Sequence, residues 1–340
     1  MQILLFLILL NYSLQLKLKE IPFVTKTFVD SHKKLSKFKT FEHHQHPFKD
    51  FTMSQIKNLF GALDIDTTLH KISNTRNKEN KINVFGALST TISSGTTTSD
   101  PVFSVYGAGE VITSANLPPN YLVTKKFPNC ETFVKNQGRC ASCYAFAITE
   151  ALSDRICVKT NMQTIVNLST QLILNCGDPN YFGCRGARLD YTHLFLSMYG
   201  TVQESCLPYT SGVTGLTSTC PAYCVDGSQY KFYKFQNYQL FTNSDDMKLE
   251  IFKNGPIVTG FAAYSDFLNY KSGIYSVTAG ATLLGGHAVK VIGWGIENGQ
   301  KFWVAKNSWG VGWGEYGFFR FAEGNCCSFE LNGIAAIPLF

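Results

Sequence analysis

The apolar positions of this chain change their spacing from one region to the next, and each change marks a different kind of segment. Ile3 to Leu10 form one unbroken apolar run in "MQILLFLILLNYS", too short to cross a bilayer and followed at once by polar residues. That pattern predicts a secretory signal peptide, cut somewhere between Ser13 and Glu20, although the basic residues that usually precede such a run are missing. The competing reading is an amphipathic first helix. From about Leu18 to Lys81 the chain is polar, rich in Lys, His, Asn and Thr. One short amphipathic helix is expected there, in "FTMSQIKNLFGAL", from Phe51, Ile56, Leu59, Phe60 and Leu63. "LSTTISSGTTTSDP", Leu88 to Pro101, has almost nothing to bury and reads as an extended, protease-accessible linker. "FGAL" occurs at Phe60 and again at Phe85, which is too little to make a repeat.

From "NLPPNY" onward the apolar pattern becomes dense. In "CYAFAITEALSDRICVKT", Cys143, Phe146, Ala147, Glu150, Ala151, Ile156 and Cys157 recur at near-helical spacing. The segment predicts a largely buried helix with Ser142 or Cys143 in its first turn. "LSTQLILNC" predicts a second helix with Ser169 as its N-cap. The last third changes period: "HAVKVIGWG", "KFWVAKNSWG" and "YGFFRFA" are short β-branched and aromatic runs between glycines, and so strands. A helical half followed by a strand-rich half predicts an α+β protein of two lobes with its site between them.

With 45% hydrophobic and 16% charged residues, 340 residues can bury one large core or two moderate ones. The net charge of +6 is modest, and no Lys/Arg tract is interleaved with aromatics, so no nucleic-acid partner is expected. The densest basic run, "SHKKLSKFK", reads as a solvated helix face. No later stretch is apolar and long enough to span a membrane. All eleven cysteines lie at or after Cys130. That places the cysteine-bearing part in an oxidising compartment, where most thiols pair and an odd one is left over.

Candidate chemistry begins at "NQGRCASCYAFA", Asn136 to Ala147, where Cys140 and Cys143 are either a metal knuckle, half of a disulfide framework, or a nucleophile beside a bridge. A zinc site would need a second pair, and Cys220 and Cys224 of "CPAYC" are a formal candidate, but secreted chains seldom keep such thiols reduced. No metal or cofactor is expected. As a nucleophile, Cys143 at a helix N-terminus would have its thiolate favoured by unpaired N–H groups and the helix dipole. It then needs a histidine, and beyond the linker only His193 and His287 exist. His193 lies at helical spacing among Leu and Tyr and reads as a packed helix residue; His287 opens a strand after a Gly pair and is the better partner. Asn307 in "KNSWG" could hold the second imidazole nitrogen, with Trp309 shielding that bond. The Gln137 side-chain amide and the backbone N–H of Cys143 could bind an oxyanion.

These residues resemble a family. "NQGRCASCYAF", "GGHAVKVIGWG" and "KNSWG" together are similar to the signatures of papain-like cysteine proteases. "ALSDRIC", "KNGPIVTGFAAYSDFLNYKSGIY" and "VIGWGIENGQKFW" place the likeness on its cathepsin B branch, nearly continuously from Leu117 to Pro338, and "FTMSQIKNLFGAL" resembles part of a cathepsin B propeptide. The resemblance implies a signal peptide over 1–18, a propeptide and linker over 19–115, and a two-lobed peptidase over 116–340. In it a helical lobe (about 131–224) faces a barrel-like lobe (about 225–340 with the 116–130 arm). It implies peptide-bond hydrolysis through a Cys143 acyl-enzyme, with His287 as acid and base, Asn307 orienting it, and Gln137 at the oxyanion. It also implies peptide or protein substrates, the chain's own propeptide as inhibitor, cystatin-type inhibitors as partners, and a lysosomal, vacuolar or extracellular location. It pairs Cys130 with Cys157, Cys140 with Cys184, Cys176 with Cys220 and Cys206 with Cys224, leaving Cys143 free. Cys326 and Cys327 are adjacent, and buried free thiols are expected there before a vicinal disulfide.

The chain also departs from that branch. Cathepsin B carries two adjacent histidines on a loop that grips a substrate's C-terminal carboxylate, whereas "LPYTSGVTGLTST", between Cys206 and Cys220, has no histidine and no basic residue. An endopeptidase with little carboxydipeptidase action is therefore expected. Ala141 replaces a Gly and Tyr144 the usual Trp, both conservative in packing terms. The substrate-binding positions are expected at Gly186, Ala187, Trp309 and Asn332. Ala187 in "GCRGA" stands where a Gly normally pairs with the substrate backbone, and its methyl narrows the approach. Asn332 stands where the branch has an acid at the base of the S2 pocket, so an apolar P2 residue is expected, with Glu330 outside the pocket. A reading from another class, a papain-fold binding protein that is weak or inactive as an enzyme, is prompted by Ala187, Tyr144 and Ala141. The full set of Cys143, His287, Asn307 and Gln137 speaks against it. His43, His44 and His46 are expected to be an exposed polar stretch rather than a pH switch, and Asn167 in "NLS" is a glycosylation sequon whose use depends on its exposure.

Overall fold

The computed structural model describes residues 23–62, 112–324 and 327–339. The expected signal peptide, the Ser/Thr linker, the second "FGAL", Leu63 and Cys326 lie outside these residues. Among the described residues no helix is long and apolar enough to cross a membrane.

In the N-terminal segment, α1 (Lys26–Leu35) starts at Thr25, whose side chain accepts from Phe28 N, and α2 (Met53–Lys57) starts with a reciprocal capping box between Thr52 and Gln55. The run "SHKKLSKFK" is helical only as far as Leu35; Phe38 beyond it is buried, and Lys39–Thr40 forms a short strand, β1. α2 likewise stops at Lys57, so the helix expected across "FTMSQIKNLFGAL" covers only its middle.

The helical lobe is organised around α3 (Cys143–Lys159), nearly all of whose residues are buried, including the polar ones. It opens at Cys143, within the turn its pattern predicted, and ends before Asn161 and Met162 turn left-handed at φ 50° and 66°. α4 (Thr170–Cys176) is capped by Ser169, which accepts from Leu172 N at 3.2 Å. α5 (Leu189–Met198) carries His193 on its buried face, with Nδ1 on the Leu189 carbonyl at 2.9 Å, a packed residue as expected.

Among the described residues the second lobe is an eight-stranded sheet that takes in the short strands β3 (Gln239–Phe241), β6 (Ile274–Tyr275) and β10 (Gly333–Ala335), while β5 (Tyr270–Ser272) pairs with β1. Its long strands are β4 (Ile257–Tyr264), β7 (Leu283–Glu297), β8 (Gln300–Lys306) and β9 (Phe318–Ala322), all antiparallel neighbours in that order. The arm strand β2 (Tyr121–Leu122) pairs with β7 at Trp294 and Gly293. An aromatic core fills this lobe: Phe261 lies 5.3 Å from both Phe267 and Phe321, and Phe267 lies 4.9 Å from both Tyr275 and Trp313, ring centre to ring centre. The four expected disulfides all form, and they lie wholly in the helical lobe and its entry arm. Cys327, expected as a free thiol, is disulfide-bonded; its partner lies outside the described residues.

Candidate active site

Cys143 is the first residue of α3, so its backbone sits where a helix leaves N–H groups without intrahelical partners. It carries no disulfide and is buried. The preceding turn is fixed from several sides. Ala141 N donates to Cys184 O at 3.2 Å, the Cys140–Cys184 bridge ties the same two segments, and Tyr209 Oη donates to Gln137 O at 2.7 Å and meets Ser142 Oγ at 2.9 Å. Gln137 is buried with its Oε1 on the Ser308 hydroxyl at 2.7 Å, which leaves Nε2 turned to the Cys140 carbonyl at 2.9 Å.

β7 supplies His287 and the end of β8 supplies Asn307. Their strands pair with Lys290 opposite Lys306, and His287 Nε2 lies 2.8 Å from Asn307 Oδ1. An amide oxygen accepts only, so Nε2 carries the proton there, and Nδ1 is left without a hydrogen-bond partner. Trp309 lies against the imidazole, 4.7 Å ring to ring. Burial pushes the His287 pKa down to about 4, against the opposing pull of the Asn307 hydrogen bond.

A five-residue stretch of the N-terminal segment brings these groups together. The Asn58 and Leu59 carbonyls accept from Gln137 Nε2 at 3.2 and 3.4 Å. The Phe60 ring stands edge-on to His287 at 5.8 Å. Gly61 N donates to Cys143 Sγ at 3.2 Å, while Gly61 O accepts from Ala187 N at 2.8 Å. Ala62 runs parallel to Ala187 and donates to Gly286 O at 3.1 Å. Gln137, Cys143, Ala187 and His287 therefore line one cleft, and a peptide lies in it. That peptide turns an N–H to the sulfur. The fit is tight: a Cβ on Gly61 would stand 2.1 Å from Ala141 O, and one on Gly186, whose φ is +94°, 2.6 Å from Gly61 O.

Asn332 lies away from this stretch, half-buried, with Nδ2 on Ser328 O at 2.9 Å and Gly260 O at 3.3 Å. Glu330 is committed elsewhere, its Oε1 accepting from the Trp303 indole at 3.0 Å and Gly324 N at 2.9 Å. Among the described residues no group of His, Cys, Asp and Glu is arranged to hold a metal ion.

Four residues that touch the site carried no assigned role in the sequence. Gly61 and Phe60 sit in an amphipathic run whose helical spacing concealed a cleft-crossing peptide. Ser308 adjoins Asn307 but shows its purpose only through Gln137, and Tyr209 comes from a loop 72 residues away from Gln137. His46, expected to be exposed, is only 2% accessible. Its Nε2 lies 2.9 Å from Asn269 Oδ1, its Nδ1 accepts from Phe48 N at 3.1 Å, and the rings of Phe41 and Phe48 pack on it. The segment around it pairs β1 with Tyr270–Ser272, which buries the histidine.

Comparison with known proteins agrees with this geometry. Residues 118–337 match the profile of the Papain family cysteine protease. Cathepsin B-like cysteine proteinase 3 of Caenorhabditis elegans is 34% identical over 263 residues, 70% of this chain and 70% of that one. Cathepsin B-like CP2 of Giardia intestinalis is 37% identical over 226 residues, 65% of this chain and 74% of that one. Among solved structures, proCathepsin B S9 from Trypanosoma congolense superposes with a TM-score of 0.73 at 26% identity, covering 94% of this chain and 100% of that one. Digestive procathepsin L 3 of Tenebrio molitor gives 0.55 at 26% identity, covering 66% of this chain and 72% of that one.

Proposed function

The chain belongs to the papain family of cysteine proteases as a cathepsin B-like peptidase, and we propose that it is the zymogen of an endopeptidase of the secretory pathway. The observation that carries the proposal is the single peptide stretch, residues 58–62, that touches Gln137, His287, Cys143 and Ala187 in turn. With that stretch removed, a substrate carbonyl would take the place that the Gly61 N–H now holds. The Cys143 thiolate attacks the carbonyl carbon, and Gln137 Nε2 with the Cys143 N–H holds the oxyanion. His287, fixed by Asn307 through Nε2, gives its Nδ1 proton to the leaving amine and then takes one from the water that releases the acyl group. While residues 58–62 stay in place, an N–H rather than a scissile carbonyl meets the sulfur and burial pushes the imidazole pKa down, so the segment inhibits without being cut.

Specificity follows from the residues beside this path. Ala187 keeps its N–H available, as its bond to Gly61 O illustrates, which argues against a protein that has lost substrate binding. Asn332 offers no charge to an arginine and Glu330 is held by the Trp303 indole, which supports an apolar P2 residue. The 207–219 loop is clamped at both ends by Cys206–Cys224 and Cys176–Cys220, and Gly212 O accepts from Arg139 N at 2.8 Å. Having no cationic side chain, it leaves a substrate carboxylate unpaired, which supports cutting inside chains. The four bridges support an oxidising compartment, lysosome-like or extracellular. A peptide panel varied at P2, run with free and with blocked C-termini, tests the proposal. Val, Leu or Phe should exceed Arg, and blocking the C-terminus should cost less than about twofold in kcat/KM. Turnover that depends on a free C-terminus would refute the endopeptidase reading.

A further inference from the structure

Tyr144, the residue after the nucleophile, is buried in the first turn of α3, and its hydroxyl meets both backbone polar groups of one residue, Gly183. It accepts from Gly183 N at 3.0 Å and donates to Gly183 O at 3.0 Å. Gly183 opens the stretch 183–187, whose last residue, Ala187, pairs with the peptide lying in the cleft. This wall has no strand ladder of its own, and its two glycines both sit at φ +94°, a conformation other residues rarely adopt. What fixes it comes from the segment that presents the thiol: the Cys140–Cys184 bridge, the Ala141 N to Cys184 O bond, and the Tyr144 hydroxyl.

We propose that the Tyr144 hydroxyl is a positioning group that sets the register of the substrate-binding wall Gly183–Ala187 against Cys143 Sγ. The inference rests on the reading of Cys143 as nucleophile and Ala187 as backbone partner of the substrate. Phenylalanine would fill the same volume but leave the Gly183 N–H and C=O buried without their partner, and the wall would shift to regain hydrogen bonds. A substrate that pairs with Ala187 feels that shift. A small electrophile that meets only the sulfur does not.

The test uses chain made full-length and activated by removal of its N-terminal segment, in wild type and Tyr144→Phe. A blocked peptide extending several residues before the cut is measured beside iodoacetamide alkylation of Cys143. We expect Tyr144→Phe to raise KM about tenfold with kcat within about twofold and the alkylation rate unchanged. An unchanged KM overturns the inference, and so does a loss of kcat matched by an equal loss of alkylation, which would mark a general structural role. Should Tyr144→Phe not fold, Tyr144→Trp replaces it: the indole can still donate to Gly183 O but cannot accept from Gly183 N. KM should then rise about threefold, and a wild-type KM overturns the inference. A wild-type enzyme that alkylates but turns over no peptide sinks the protease reading itself, whereas active wild type with an unaffected variant sinks the role of Tyr144 alone.

Discussion

His46 holds a neutral imidazole with both nitrogens committed, one donating to Asn269 and one accepting from Phe48. A second proton would turn the Nδ1 acceptor into a donor facing another donor. Burial pushes its pKa down to about 4, with His43 as a further repelling charge and the Asn269 bond opposing. A released segment would titrate near the ordinary value of about 6.5. The docked state thus binds fewer protons, its stability is complete above about pH 6.5, and it is lost as pH falls toward 4, by up to about 3 kcal/mol. His46 alone should weaken inhibition of the activated enzyme by a peptide of residues 23–62 roughly 50-fold from about pH 7 to about pH 4.5, and His46→Gln should remove that share of the change. A residual slope is expected from His287, whose pKa is lowered in the same sense while Phe60 covers it. None of this was legible in "HHQH", because the partner that buries His46 lies 223 residues away. The opposite holds for Asn332, whose place in the chain alone suggested its role. Asn332→Glu should raise kcat/KM for Arg at P2 about tenfold relative to Leu, at some loss of stability from the Gly260 and Ser328 carbonyls it now satisfies. An unchanged Arg-to-Leu ratio would remove Asn332 from the pocket.

At the scale of elements, α3, α4 and the β7–β9 meander were readable because local pattern and tertiary demand agree: a near-helical apolar spacing in α3, a cap at Ser169, then β-branched and aromatic strands between glycines. The stretch after α2 was not. Ile56, Leu59 and Phe60 recur at helical spacing, yet Phe60 is drawn onto His287 and Gly61 must pass within contact of Ala141 O, so the chain straightens. That closeness makes Gly61→Ala a sharp probe. A Cβ there meets backbone rather than a yielding side chain, and the full-length variant should show at least about tenfold more peptidase activity before processing than wild type. Equal latency in the two proteins would mean that residues 58–62 are not what blocks the cleft.

Across the whole molecule, buried charge joins the two lobes that supply Cys143 and His287. Lys290 of β7 pairs with Asp154 of α3 and with Glu131 at 2.7 Å, and Lys306 of β8 pairs with Glu150 of α3 at 2.8 Å and with Glu131 at 3.0 Å. Lys306→Met leaves Glu150 buried beside an apolar side chain and should lower unfolding stability by about 3–5 kcal/mol, read from urea denaturation. The lysines fall in runs that sequence pattern reads only as strands, so two lobes were legible but not the ionic joint between them. The proposed zymogen requires that Cys143 be an activated thiolate which the N-terminal segment masks. The most direct measurement is mass mapping of iodoacetamide adducts at about pH 5.5, before and after that segment is removed. An ordinary thiol, with a pKa near 8.5, is about one part in a thousand thiolate there and reacts slowly. Rapid modification confined to Cys143 in the activated enzyme, with protection in the full-length chain, is the predicted result. Slow modification of Cys143 after activation, or equal modification in both forms, would contradict it.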